Sequence, residues 1–273
     1  MLIAQITDTH LKSGGKLAYG KVDTATALSN SVTHLNALTP RPDAVIITGD
    51  IADMGRPEAY ALFREIVSGL AMPYYVIPGN HDETLAFCDA FRDHAYLPSD
   101  GRFLHYAIEE YPVRLVGLDT TVRGKPHGLL CAERLDWLDQ TLTEFPEQTT
   151  LIFMHHPPFL TGIAHMDRQN CRNAEGLAEI VRRHRQVVRI TCGHVHRPMQ
   201  TLWAGVAAGI APGSSHSVAL DFNPDGLPAF VLETPACQLF YQTEDGNLAS
   251  HLSFIGDFEG PHPFFDKFGA LID

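Results

Sequence analysis

Short apolar runs alternate with polar stretches along this chain, and the period of the apolar positions separates predicted strands from predicted helices. Residues 2–6, 44–47 and 74–77 are almost wholly apolar and read as buried strands. Between the first two, residues 23–38 place Ala27, Val32, Leu35 and Leu38 at helical spacing behind a capping Asp23 or Thr24. Pro40-Arg41-Pro42 stops that helix. Residues 57–70 and 84–92 predict two more helices. The pattern then changes: 103–108 and 113–118 predict a hairpin across Glu109-Glu110-Tyr111-Pro112. A helix over 132–142 follows, with Leu135, Leu138 and Leu142 on one face. After it come a strand at 150–154, a long loop over 157–170, a helix at 175–184 and a strand at 187–190. Short strand-like runs at 206–210 and 218–220 precede a hairpin over 239–255 that turns at Asp245-Gly246. A β-α-β-α-β start followed by hairpins mixed with helices predicts an α/β sandwich of mixed sheets, not a purely parallel doubly wound sheet.

Five predicted strands end in short polar clusters. These are Asp8-Thr9-His10, Gly49-Asp50, Gly79-Asn80-His81-Asp82, His155-His156 and Gly193-His194-Val195-His196. The carboxyl ends of strands are where α/β folds gather their chemistry. Singly, each cluster has an ordinary explanation as a turn, a surface histidine or a hydrogen-bonded pair. Together they offer Asp8, His10, Asp50, Asn80, His155, His194 and His196, a thiolate-free set suited to a pair of divalent ions such as Fe, Mn, Zn or Co. The x-spaced pairs Asp8/His10 and His194/His196 fall on one side of an extended backbone. Asp50 is the natural bridge, since a carboxylate has two oxygens to share and its glycine neighbour permits close approach. Asp8, His10 and one histidine of the last pair then complete one site; Asn80, His155 and the other histidine complete the second.

Composition narrows the partners. A net charge of −12 argues against a large nucleic acid, whose phosphates would be repelled. A small anion stays compatible, because bound cations invert the local field. The five cysteines are scattered without a CxxC pair, which predicts neither a disulfide framework nor a thiolate zinc site. No run of about 18 apolar residues is present, and Met1-Leu2-Ile3-Ala4 lacks the features of a signal peptide. A cytoplasmic location away from membranes is the resulting expectation. At 273 residues the chain can bury one large core or two smaller ones. The tail from 260 onward carries Phe264, Phe265 and Phe268, which predicts packing on a surface, a second copy included.

The series D-x-H, G-D, G-N-H-D, H-H-P-P and G-H-x-H, in this order over residues 2–196, resembles the calcineurin-like metallophosphoesterase superfamily. Within it the chain is most similar to the branch of class III cyclic-nucleotide phosphodiesterases and bacterial glycerophosphodiesterases. Gly55-Arg56-Pro57-Glu58-Ala59-Tyr60 and Pro212-Gly213-Ser214-Ser215-His216 add to the similarity. The resemblance implies a four-layer α-β-β-α sandwich, with a metal core over 1–200 and C-terminal strands, cap and tail over 201–273 that complete it and help build a homo-oligomer. It implies one ion on Asp8, His10, Asp50 and His196 and another on Asp50, Asn80, His155 and His194. His156 is no ligand in the family. The expected activity is hydrolysis of a small phosphodiester, a cyclic nucleotide or a glycerophosphodiester, by in-line attack of water activated on the metals. His81 is expected to contact phosphate or protonate the leaving group, Asp82 to orient His81, and Asn80 and His216 to meet the phosphate. Departures from sibling families support the diester. Asp53 stands where purple acid phosphatases put a tyrosine, and Asp82 stands where protein phosphatases put a glutamate. A broad phosphomonoesterase and a non-catalytic metal-binding scaffold are the alternatives. The loops 11–21, 53–60, 119–128, 157–172 and 200–216 are expected to set substrate choice, with Tyr19, Tyr60, His127 and Phe159 as candidates.

Overall fold

β-branched runs become the parallel strands at the middle of two sheets, as described by a computed structural model covering residues 1–98 and 102–272. In chain order the strands are β1 (Leu2–Ile6), β2 (Ala44–Thr48), β3 (Tyr74–Ile77), β4 (Tyr106–Ile108), β5 (Arg114–Leu118), β6 (Thr150–Met154) and β7 (Val187–Cys192). They continue with β8 (Met199–Trp203), β9 (Val206–Ile210), β10 (Ser217–Val218), β11 (Phe230–Val231), β12 (Ala236–Gln242) and β13 (Leu248–Phe254). The helices are α1 (Thr24–Ala37), α2 (Pro57–Val67), α3 (Thr84–Ala90), α4 (Ala132–Glu144), α5 (Ala164–Asp167) and α6 (Ala174–Arg183). One sheet runs β13-β12-β1-β2-β3 and the other β4-β5-β6-β7-β9-β8; β10 and β11 pair separately. β1, β2 and β3 are parallel, as are β5, β6, β7 and β9.

Both faces of the central strands are buried, so side-chain alternation builds three cores. Ile3, Ala44, Ile46 and Ile77 face Leu115, Leu151 and Phe153 across the gap between the sheets. Ala4, Ile6, Val45 and Ile47 face outward to Leu28 and Leu35 of α1 and Phe63 of α2. On the far side Val116, Ile152 and Ile190 meet Leu138 of α4 and Leu177 of α6. The layers are therefore α-β-β-α. A polar link pins the two sheets beside the loops that follow β1, β2 and β7: the Gln5 amide donates to Thr48 Oγ1 (2.8 Å) and to the Cys192 carbonyl (3.0 Å), and Thr191 Oγ1 donates to Gln5 Oε1 (2.5 Å).

The inter-sheet core gives a stability prediction. Phe153 is fully buried, its ring 5.9 Å from that of Tyr106 and packed over Gly117, where a Cβ would approach it to 2.9 Å. Phe153→Ala is expected to cost about 3–5 kcal/mol in urea unfolding. A cost below about 1 kcal/mol would mean that the two sheets close over the lost ring.

Several elements differ from the sequence expectation for identifiable reasons. Residues 103–105 lie outside β4, and the Leu104 amide donates to the Asp119 carboxylate (3.1 Å). β8 occupies part of the stretch expected as the loop 200–216; as a half-exposed edge strand it carries no apolar run. The short α5 lies inside the expected loop 157–170. A division at residue 200 falls within β8, and β12 joins β1 directly, so the C-terminal third is woven into both sheets. Beyond β13 the tail lies open in the single chain, with Phe258, Phe264, Phe265 and Phe268 all exposed. Among the described residues no helix is long and apolar enough to cross a membrane.

Candidate metal centre

The carboxyl ends of parallel strands from both sheets meet at one edge of the sandwich. Asp8 and His10 follow β1, Asp50 follows β2, Asn80 to Asp82 follow β3, His155 follows β6, and His194 and His196 follow β7. All seven predicted ligands converge, and six of them are almost fully buried. His10 Nε2 lies 3.1 Å from His196 Nε2 and 3.5 Å from Asp50 Oδ2, while His196 Nε2 lies 3.4 Å from Asp8 Oδ1. On the other side His155 Nε2 lies 3.4 Å from the same Asp50 Oδ2, 3.1 Å from Asn80 Oδ1 and 3.3 Å from His194 Nδ1. Two donor sets thus share one oxygen of Asp50. Donors held at about 2.0–2.2 Å around a single cation sit roughly 3.0–3.6 Å from one another, which is the spacing found here.

The backbone is bent to achieve this. Asp8, His10, Asp50, His194 and His196 have φ of 55°, 43°, 49°, 73° and 54°, a left-handed region that residues with side chains seldom enter. Two glycines make the approach possible: a Cβ on Gly79 would collide with the Asp50 carboxylate and backbone, and one on Gly193 with Thr7 Oγ1. Supporting hydrogen bonds then fix the donors. His155 Nδ1 donates to the Thr48 carbonyl (2.8 Å), turning Nε2 inward. The His194 amide donates to the Asp8 carboxylate (3.0 and 3.1 Å), and the His81 amide to Asp50 Oδ1 (2.8 Å), which leaves Asp50 Oδ2 for the shared position.

Burial and close mutual contact shift the donors strongly. Burial and the nearby charge of Asp50, against the pull of His155, raise Asp8 to about 7. Burial also works to raise Asp50, yet His155 and His81 hold it well below the usual carboxylate range. Burial drives His10 and His194 far down and His196 to about 4, so these imidazoles are neutral, the form that binds metal. Burial opposes protonation of His155 as well, but the Asp50 charge raises it to about 9. Two buried carboxylates and four imidazoles, with donor atoms 3.1–3.5 Å apart, form a set of the kind that divalent cations occupy.

His81 lies at the lip of this centre, with its ring 4.7 Å from that of His10. Its Nδ1 donates to Asp53 Oδ1 (2.7 Å), and Asp53 is ion-paired with Lys12. Burial works to lower His81, but the Asp50 charge and the Asp53 hydrogen bond raise it to about 9. The carboxylate that the His81 ring meets is therefore Asp53, where the sequence pointed to Asp82. The Asp82 carboxylate instead accepts from the amides of Gly79 (2.9 Å), Ile51 (3.1 Å) and Ala52 (3.0 Å) and from the Tyr60 hydroxyl (2.8 Å). It staples the loop after β2 to the loop after β3. His216 faces the centre with its ring 4.5 Å from His196, and Ser215 Oγ lies 2.9 Å from its Nδ1. Burial pushes His216 down to about 3. His156 is buried beside His155 and His194, its ring 4.7 Å from that of His194, and its Nδ1 lies 2.7 Å from Thr120 Oγ1.

A cavity of about 420 Å³ opens over the centre, lined by His10, Asp50, Asn80, His81, His194, His196 and His216. Tyr19 from the loop 11–21 and His165, Met166 and Gln169 from the loop 157–172 wall it, joined by Phe230 of β11. Of the four candidates, Tyr60 and Phe159 are buried in the cores. His127 is absent from this lining. Sequence reasoning missed Asp53, Lys12 and Phe230. A carboxylate three residues beyond Asp50 was a usable signal for Asp53; nothing in the apolar run Leu227-Pro228-Ala229-Phe230-Val231-Leu232 tied Phe230 to the strand ends.

Comparison with known proteins agrees with this geometry. A family model described as calcineurin-like phosphoesterase matches residues 1–198. A probable glycerophosphodiester phosphodiesterase, GpdQ of Arcobacter nitrofigilis, is 47% identical over 274 residues, covering 100% of both chains. The 3',5'-cyclic adenosine monophosphate phosphodiesterase CpdA of Escherichia coli is 30% identical over 257 residues, 93% of this chain and 90% of that protein. Among solved structures, a dimetal phosphatase from Danio rerio superposes with a TM-score of 0.68 at 15% identity, over 94% of this chain and 99% of its own, a likeness of fold.

Proposed function

Since this chain belongs to the calcineurin-like phosphoesterase family, we propose that it is a metal-dependent phosphodiesterase of small diesters, cyclic nucleotides or glycerophosphodiesters. The observation that carries this reading is the pair of donor sets sharing Asp50 Oδ2 on the floor of a cavity that His81 and His216 also face. Asp8, His10, Asp50 and His196 would hold one cation, and Asp50, Asn80, His155 and His194 the other. Four imidazoles with carboxylate and amide oxygens suit Fe, Mn, Zn or Co. Bound there, the cations supply a water acidified toward neutrality and positive charge against the phosphoryl oxygens.

The side chains divide the remaining work. His216, neutral in its buried place, offers the phosphoryl group a hydrogen bond without a charge. Asn80, beside His81, lies where a phosphoryl oxygen enters. His81, with Nδ1 committed to Asp53, presents Nε2 to the substrate and delivers a proton to the departing alkoxide oxygen. Diester preference follows from the cavity's two walls, which leave room for a second substituent on phosphorus. The exposed phenylalanines of the tail support a homo-oligomer, and light scattering that shows a monomer would remove that part. A cytoplasmic location belongs to the same reading.

The test uses protein stripped with a chelator and reloaded with manganese. Bis(p-nitrophenyl) phosphate is expected to be hydrolysed much faster than p-nitrophenyl phosphate, and stripped protein to be inactive. Stripping should also lower the thermal midpoint by several degrees, because cations that bind only the folded chain stabilise it. Absence of diester turnover with manganese, iron, zinc and cobalt alike would overturn the proposal.

A further inference from the structure

The walls of the cavity are unlike. On one side the rings of Tyr19 and Phe230 lie 5.0 Å apart at 32°, and His216 meets both edge-on at 5.4 and 5.6 Å. On the other side stand His165 and Gln169, with the Gln169 amide donating to the His165 carbonyl (3.1 Å). Tyr19 is the unusual member. Its φ is 51°, a strained backbone for so large a side chain. The loop is held in that shape by paired bonds between Ala18 and Val22, both 2.9 Å. Yet the residue is 53% exposed, so burial does not offset the strain. Followed by Gly20 at φ 67°, Tyr19 sits in the tight turn that this pairing closes, and its ring lines the same cavity as His10, Asp50 and Asn80.

From these features we infer that Tyr19 and Phe230 are specificity-determining residues: they form an aromatic wall against which a planar ring on the diester, a nucleobase or an aryl group, lies flat. The inference rests on the diesterase reading and refines its substrate class. A flat ring gains stacking on the Tyr19 face, which an acyclic polyol such as glycerol has no surface to match. His165 and Gln169, polar and across the cleft, meet the ring's heteroatoms or hydroxyls. The chain therefore favours ring-bearing diesters over glycerol-bearing ones, and the wall is the source of that preference.

The experiment compares the manganese-loaded native protein with Tyr19→Ala, Phe230→Ala and Tyr19→Phe. Substrates are 3',5'-cyclic AMP and glycerophosphoethanolamine. In each alanine variant the ratio of kcat/KM for cyclic AMP to that for glycerophosphoethanolamine is expected to fall about tenfold, through KM, the size typical of one lost stacking contact. Tyr19→Phe, which keeps the ring, should restore the native ratio. A second arm measures calorimetric binding of AMP and of glycerol 3-phosphate, with AMP alone weakened about tenfold by the alanine variants. Equal losses for both substrates, or equal weakening of both ligands, would overturn the inference. Native protein that hydrolyses no diester would instead overturn the reading beneath it, and the binding arm would still judge the wall.

Discussion

Asp50→Asn is expected to slow diester hydrolysis by on the order of 10³-fold or more and to cut the metal retained per chain from two equivalents to one or none. Asp50 Oδ2 lies within 3.5 Å of His10 Nε2 and 3.4 Å of His155 Nε2, one donor from each set, while Oδ1 accepts the His81 amide at 2.8 Å. Both oxygens are therefore in use as acceptors. An amide offers one oxygen and one NH₂. Turned one way it sets a donor against the His81 N–H; turned the other it sets a donor against the shared position. Either orientation breaks one of the two functions, and the negative charge is lost in both. Fold is expected to persist, because removing one of two crowded buried carboxylates relieves repulsion with Asp8. Elemental analysis after dialysis and kcat/KM on bis(p-nitrophenyl) phosphate check it together. Two retained equivalents with native turnover would take Asp50 out of the shared position.

His81→Ala carries the second large effect, and its signature is dependence on the leaving group. For an alkoxide, which needs a proton, the loss is expected at about 10²–10⁴-fold. For p-nitrophenolate, stable as an anion, it should be at most about tenfold. Asp53→Ala should show the same selectivity at a smaller scale, about 10–100-fold, because it frees the ring that the Asp53 carboxylate holds through Nδ1. Asp82→Ala should differ in kind. It strips an acceptor from three amides and the Tyr60 hydroxyl, so its effect belongs in the thermal midpoint before the leaving-group dependence. A uniform loss across leaving groups in His81→Ala would reassign His81 to phosphate binding alone.

The convergence of the seven candidate ligands was legible in the sequence because each closes a short apolar strand, and parallel strands deliver their ends to one edge. The apolar runs of β2 and β6 were equally plain, being buried on both faces. What stayed hidden depends on partners far along the chain. β8 is half-exposed and pairs with β9 at the sheet edge, so no local pattern announces it. The choice between Asp53 and Asp82 as the partner of His81 turns on which carboxylate the loop amides claim. Adjacency in sequence favoured Asp82, and the amides of Ile51, Ala52 and Gly79 claimed it. Phe230 reaches the cavity only through the pairing of β10 with β11.

The left-handed backbone at Asp8, His10, Asp50, His194 and His196 reaches beyond catalysis. Each such residue costs on the order of 1 kcal/mol relative to a relaxed conformation, a cost that cations binding only the folded chain would offset. Protein newly made in a cell starved of divalent ions must bear that cost unaided. Its folded fraction, and with it its survival against housekeeping proteases, then rises and falls with the free ion supply.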